Sequence, residues 1–262
     1  MRFSLLLAFC CVFAALTQAA DWPVAGSRAG NCTYYEFDLN GKTAKVLVPD
    51  QQAPGKPWLF RTVYWRAFPN SEDVMLQKGW AVAWIQTNDR FGTPADNAQR
   101  LSLYEYLVNE QGFSPKPVVF GMSYGGLSSL RWALANPDKI CGIYIDAPVC
   151  NFVDWKTKYA DCWNAALNEY GMTEEELLNG DGNPCIAVRK LAERKIPMLL
   201  ICGDADKTVI FTEHGQKLAE NFRAAGGDLE MHVKPGCDHH PHGLADPTPV
   251  VEFYEKCWKN AQ

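Results

Sequence analysis

Short apolar runs and amphipathic stretches alternate along residues 34–260. Polar and apolar positions alternate over 34–38 and 44–48 on either side of Asn40-Gly41, the pattern of an antiparallel hairpin closed by a tight turn. Continuous apolar runs follow at 58–64, 81–85, 118–120, 143–145, 198–201 and 229–233. Helical spacing fills the intervals, at 72–77, 100–109, 127–135, 213–225 and 249–259. A strand that is apolar throughout is buried on both faces, and strands alternating with helices imply right-handed crossovers. The pattern therefore predicts an α/β fold, a mostly parallel, doubly wound sheet. One interval is too long. Between Asp146 and Lys195 the chain runs for about fifty residues where a single helix would do. Trp155, Tyr159, Trp163, Tyr170 and Glu174-Glu175-Glu176 give that stretch helical and aromatic character. It predicts a helical cap inserted at about 147–194 over the carboxyl edge of the sheet, with a plain surface excursion as the alternative.

Residues 1–19 stand outside this pattern. Arg2 supplies a positive start, the chain is apolar and uncharged from Leu5 to Leu16, and Thr17-Gln18-Ala19 places small residues before a cleavage point. These are the marks of a signal peptide over 1–19, leaving one domain over 20–262. An apolar run of about a dozen residues is too short to cross a hydrocarbon core of roughly 30 Å. The expectation is an exported chain, periplasmic or extracellular, with no membrane contact once the leader is gone. Export changes how the cysteines read. Cys10 and Cys11 leave with the leader, while Cys32, Cys141, Cys150, Cys162, Cys185, Cys202, Cys237 and Cys257 remain. That even set suggests disulfides in an oxidising compartment, but allows 105 connectivities. Cys150, Cys162 and Cys185 could staple the insertion, whereas Cys202 lies in an apolar run and also reads as a buried thiol. Asn31-Cys32-Thr33 is a glycosylation sequon.

Composition narrows the function classes. With 47% hydrophobic and 21% charged residues, the chain is neither disordered, collagenous nor coiled-coil. Lys and Arg number 25 against 30 Asp and Glu, giving a net charge of −5, and no basic run occurs. A strongly basic nucleic-acid binder is excluded.

The chemistry begins at Val118-Val119-Phe120-Gly121-Met122-Ser123-Tyr124-Gly125-Gly126, which leads into the helical pattern at 127–135. This is G-x-S-x-G set between a buried strand and a helix, the context of a nucleophile elbow. Glycines at 121 and 125 would relieve crowding as the turn tightens about Ser123. The turn would lift the serine hydroxyl clear of the sheet, and the backbone N–H of Tyr124 could meet a developing oxyanion.

On these residues the chain resembles the α/β-hydrolase superfamily of serine hydrolases, over essentially all of 31–260. Within it, the similarity is to secreted esterases and prolyl-oligopeptidase-like hydrolases. The resemblance implies a nucleophile, an acid and a histidine in that chain order. Cys202-Gly203-Asp204-Ala205-Asp206-Lys207-Thr208-Val209 is similar to the family's G-x-x-D-x-x-V loop and selects Asp206 as the acid, with Asp204 a loop or capping residue. Pro235-Gly236-Cys237-Asp238-His239-His240-Pro241-His242 is similar to P-G-x-G-H-x-P-H and selects His239 as the general base. Asp238 departs from the usual glycine, and His242 remains a second candidate. The loop Tyr64-Trp65-Arg66-Ala67-Phe68-Pro69 stands where the superfamily often shows H-G-F-P-G, which makes Phe68 N–H the second oxyanion donor. Trp65, Arg66 and Arg90 are possible substrate-binding residues on loops at the same edge, against the plainer reading of packed aromatics and solvated charges.

Cys237, Asp238, His239, His240 and His242 are all zinc-ligand types. They crowd together, however, and no distant pair completes a tetrahedron, so no metal and no cofactor is expected. The resemblance implies a serine hydrolase. A small carboxylic ester, possibly on a carbohydrate, is the leading substrate. A small secreted peptidase is the alternative, and a catalytically silent binding protein of the same fold is the competing class.

Overall fold

The computed structural model describes residues 20–88, 91–158 and 160–262, without the side chains of residues 160–162, 165 and 166. The leader read at 1–19, and Asp89 and Arg90, lie outside that description. Among the described residues, nine strands form one sheet: β1 (Ser27–Ala29), β2 (Cys32–Leu39), β3 (Lys42–Pro49), β4 (Trp58–Arg61), β5 (Ala81–Ile85), β6 (Val118–Met122), β7 (Gly142–Asp146), β8 (Met198–Gly203) and β9 (Leu229–Lys234). Their order is β1-β2-β3-β5-β4-β6-β7-β8-β9. β1 to β3 are antiparallel, as is the β3–β5 pair, and every pairing from β5 to β9 is parallel. The β2–β3 turn uses left-handed Asn40 and Gly41, as the Asn-Gly signal requires.

Side chains alternate between two cores. Trp58, Phe60, Val119, Ile143 and Leu200 face α2 (Pro94–Glu105) and α3 (Tyr124–Ala135), where Trp132 is fully buried. Leu59, Val118, Phe120, Tyr144 and Ile201 face the opposite way, with Met75 of α1 (Asn70–Gln77). Each such side chain contributes about 1.5–3 kcal/mol by leaving water. Strands β4, β6, β7 and β8 are buried along their whole length. That is why they read as unbroken apolar runs.

Among the described residues between β7 and β8 lie five short helices: α4 (Phe152–Lys158), α5 (Ala160–Tyr170), α6 (Glu174–Asn179), α7 (Pro184–Ala187) and α8 (Arg189–Glu193). Phe152, Trp155, Trp163, Tyr170 and Leu177 form a third apolar cluster seated on Leu127, Val149 and Val209. The insertion thus packs on residues that follow the carboxyl ends of β6, β7 and β8. Its foot is pinned by buried His214, whose Nδ1 accepts the backbone N–H of Cys150 and of Asn151, both at 3.1 Å, while Nε2 meets Asp154 at 3.0 Å. Burial holds the His214 imidazole below its ordinary pKa, which keeps it an acceptor. The last two helices, α9 (Gly215–Ala224) and α10 (Thr248–Asn260), cover opposite faces.

Two expectations change. The run at 58–64 leaves the sheet at Arg61, because Tyr64, Arg66 and Phe68 adopt φ of 55°, 57° and 49° and fold the backbone into a tight loop. Disulfides are absent among the described residues: Cys32, Cys141, Cys150, Cys185, Cys202, Cys237 and Cys257 are free thiols. Cys150 and Cys185 approach to an Sγ–Sγ distance of 3.8 Å as hydrogen-bonded thiols, and Cys202 is buried in β8. Among the described residues, no helix is long and apolar enough to cross a membrane.

Candidate active site

Ser123 occupies the corner between β6 and α3 with φ 55° and ψ −121°. Its N–H donates to the carbonyl of Asp146 at 2.9 Å, and its carbonyl accepts from Gly126 at 3.0 Å and Val149 at 3.1 Å. Neighbouring strand ends and the foot of the cap thus hold a left-handed residue in place. The glycines divide unevenly. A Cβ on Gly121 would stand 2.2 Å from the Gly125 carbonyl oxygen, and one on Gly126 would stand 2.5 Å from Pro148. A Cβ on Gly125 would meet Val63 only at 3.4 Å. Crowding therefore falls on 121 and 126, not on the expected 121 and 125. Gly121→Ala is expected to cost about 1–3 kcal/mol in urea unfolding and Gly125→Ala clearly less; equal losses would contradict the packing.

The hydroxyl of Ser123 lies 3.1 Å from Nε2 of His239, whose Nδ1 lies 2.7 Å from Asp206 Oδ2. Asp206 Oδ1 accepts the backbone N–H groups of Thr208 and Val209, each at 2.8 Å. Those donors leave the second carboxylate oxygen for the imidazole, so Nδ1 carries the proton and Nε2 faces the serine. Asp204 turns away and caps Gly236 N–H at 2.6 Å. Asp238, standing where the family has glycine, also has a structural task. Its Oδ1 accepts Lys207 N–H at 2.9 Å and His239 N–H at 2.8 Å, tying the acid loop to the histidine loop. Those two amides hold the Asp238 carboxyl below the usual carboxylate range.

His242 is engaged elsewhere. Its Nδ1 lies 2.6 Å from Asp146 Oδ1, and Asp146 Oδ2 accepts Gly243 N–H at 2.8 Å and faces the Tyr144 hydroxyl at 3.3 Å. A second histidine–carboxylate pair thus stands beside the first. Asp146, which joins this pair to the serine through its carbonyl, was missed in the sequence. A lone acid ending the apolar run of β7 was the available signal.

The loop after β4 forms the opposite wall. Arg61, buried at the end of β4, donates to the Val63 carbonyl at 3.0 Å, the Ala67 carbonyl at 2.7 Å and Glu72 at 2.8 Å. Its side chain and that of Glu72 are fully enclosed, and burial pushes the Glu72 carboxyl above its ordinary pKa. This clamp holds the left-handed loop that presents Phe68. The sequence does not announce Arg61 and Glu72 as a pair, although a charge ending an apolar run is a visible anomaly. Phe68 stacks on His240 at a centroid distance of 5.6 Å and meets His242 edge-on at 5.2 Å. Tyr64, Ala67, Phe68, Met122, Ser123, His239, His240 and His242 line a cavity of about 260 Å³. Roomier clefts of about 340 and 440 Å³ open beside Arg194 and Arg131, and neither is lined by the serine or its histidine.

The other expected residues do not gather here. Trp65 packs against Tyr34 and Trp84, each at 6.3 Å, away from the cavity lining. Arg66 pairs with Asp73 and lies 3.5 Å from Glu72, so its charge is spent on α1. Arg90 falls outside the described residues. Tyr124, whose N–H opens α3 beside the serine, packs its ring on Phe91 at 5.8 Å and Trp155 at 6.2 Å. The aromatic insertion therefore touches the residue next to the nucleophile.

A parallel α/β sheet with an elbow serine, followed in chain order by an aspartate and a histidine bonded to it, defines a serine hydrolase. The family pattern described as prolyl oligopeptidase matches residues 78–260, and the chain belongs to that family. Its fold is similar to that of a Bacteroides ovatus protein described as a dipeptidyl aminopeptidase IV, with a TM-score of 0.65 and 16% identity. That likeness covers 87% of this chain but 35% of the other, so the chain spans about a third of its length. No curated protein matches the chain. Family membership favours the peptidase alternative over the ester expected from the sequence, and an enzyme over a silent binding protein.

Proposed function

We propose that the protein is a serine peptidase acting on short amide substrates through an acyl-enzyme at Ser123. The observation that carries this reading is the bonded Ser123–His239–Asp206 chain in a member of a peptidase family. His239 takes the serine proton as the hydroxyl attacks the carbonyl and returns it to the leaving amine, while Asp206 holds the imidazole tautomer and steadies the imidazolium. Backbone N–H groups of Tyr124 and Phe68 serve the oxyanion, a type of contact worth about 3 kcal/mol. Water then repeats the sequence on the acyl-enzyme. A cavity of about 260 Å³ suits a short substrate. Export of the mature chain is part of the proposal, on the evidence of residues 1–19.

A second reading, hydrolysis of a small carboxylic ester, is favoured by the cavity lining. Tyr64, Phe68, Met122 and three imidazoles line it, with no carboxylate among those residues to pair with a peptide amino terminus. A panel of aminoacyl-proline amides, p-nitrophenyl acyl esters and acetylated or feruloylated sugars separates the two. Turnover of amides is the expected result. Turnover of esters alone would reject the peptidase reading.

A further inference from the structure

His239, His240 and His242 bring one ring nitrogen each to within 4.8 Å of the others. Their centroids stand 4.8–5.0 Å apart with the rings steeply inclined, at 69°, 80° and 84°. Closeness along the chain argued against a metal in the sequence, but the turn folds these side chains toward a common point. Zinc bonds imidazole nitrogen at about 2.0–2.1 Å, so a tetrahedral ion spaces its ligand atoms at roughly 3.3 Å. Small side-chain rotations would close the remaining gap.

Two further observations point to a metal. His239 and His242 both commit Nδ1–H to a buried carboxylate, Asp206 at 2.7 Å and Asp146 at 2.6 Å. This carboxylate–histidine arrangement orients metal ligands, because it leaves the Nε2 lone pair as the outward donor. Each carboxylate is itself fixed by further donors, Asp206 by Thr208 and Val209 N–H and Asp146 by Gly243 N–H. The two buried negative charges offset the dication. His240 is exposed and provides the approach from solvent. Ser123 Oγ, 3.1 Å from His239 Nε2, or a water, can complete four ligands.

We propose that His239, His240 and His242 form an inhibitory zinc site, in which the ion takes the His239 Nε2 lone pair that must otherwise accept the Ser123 proton. The inhibition rests on His239 acting as the base; the binding does not. Calorimetric titration of ZnCl₂ into the full chain measures the binding directly, with Ser123→Ala, His240→Ala and Cys237→Ser titrated alongside. One ion per chain is expected, with affinity at least tenfold weaker in His240→Ala and unchanged in Cys237→Ser. Ser123→Ala should keep the ion, since a water can stand in for the hydroxyl, and inhibition should follow the same order in His240→Ala and Cys237→Ser, each referred to its own zinc-free rate. EDTA should restore activity, and Mg²⁺ should not inhibit, since imidazole suits zinc and not magnesium. No uptake at about 100 μM zinc, enough to fill a site of micromolar affinity, would overturn the proposal. So would equal affinity in His240→Ala, or loss of binding in Cys237→Ser. His240-dependent uptake by a chain that hydrolyses none of the panel would support the metal site and count against the peptidase reading.

Discussion

A Ser123→Ala chain is expected to lose about 10⁴- to 10⁶-fold in kcat on any substrate the native chain turns over, with its fold intact. The serine already occupies a left-handed position, and alanine keeps the same Cβ there. His239→Ala should fall as far. The double variant should fall no further, because nucleophile and base act as one unit. Asp206→Asn should lose about 10⁴-fold, since an amide facing Nδ1 favours the wrong tautomer. Fluorophosphonate labelling followed by single-turnover assays reads all four. A His239→Ala chain within tenfold of native would reassign the base, and His242 would inherit the role.

Arg61→Met is expected to cost about 3–5 kcal/mol in urea unfolding, the usual penalty for stranding one member of a buried pair. Arg66, 3.5 Å from the Glu72 carboxylate, would remain to offset part of that charge. The double variant Arg61→Met/Glu72→Met should regain most of the stability, because well-packed apolar residues replace buried ion pairs at little loss. Activity should not return with it. The Val63 and Ala67 carbonyls would still lack the donor that shapes the loop before Phe68. Parallel recovery of stability and kcat would show that Arg61 serves packing alone and does not position the wall of the site.

The sheet was legible because burial on both faces leaves an unmistakable mark: β4, β6, β7 and β8 are apolar at nearly every position. Ser123 was legible because an elbow between strand and helix demands small neighbours. Asp206 and His239 were not distinguishable from Asp204 and His242 by residue type. They were selected by resemblance, and their geometry follows from which backbone amides each carboxylate captures. The loop at 62–69 was opaque, since Tyr64, Arg66 and Phe68 reach left-handed backbone without a glycine to announce it. Asp146 was opaque for another reason. A carboxylate closing an apolar strand does not reveal that its carbonyl serves residue 123 while its side chain serves residue 242. Trp65 and Arg66 misled because a loop position fixes where the backbone goes, not which way the side chain turns.

Asp146 carries one more consequence, for the order in which the molecule can become competent. Its contact with His242 spans 96 positions, and that of Ser123 with His239 spans 116. Such distant closures come late in a folding reaction, because chain entropy must be surrendered before they return any energy. The nucleophile can therefore be shaped by the pairing of β6 and β7 well before the segment carrying both histidines docks. Until it does, the serine is an ordinary alcohol. A half-folded chain thus lacks an activated serine, and hydrolytic capacity arrives with the final long-range contacts.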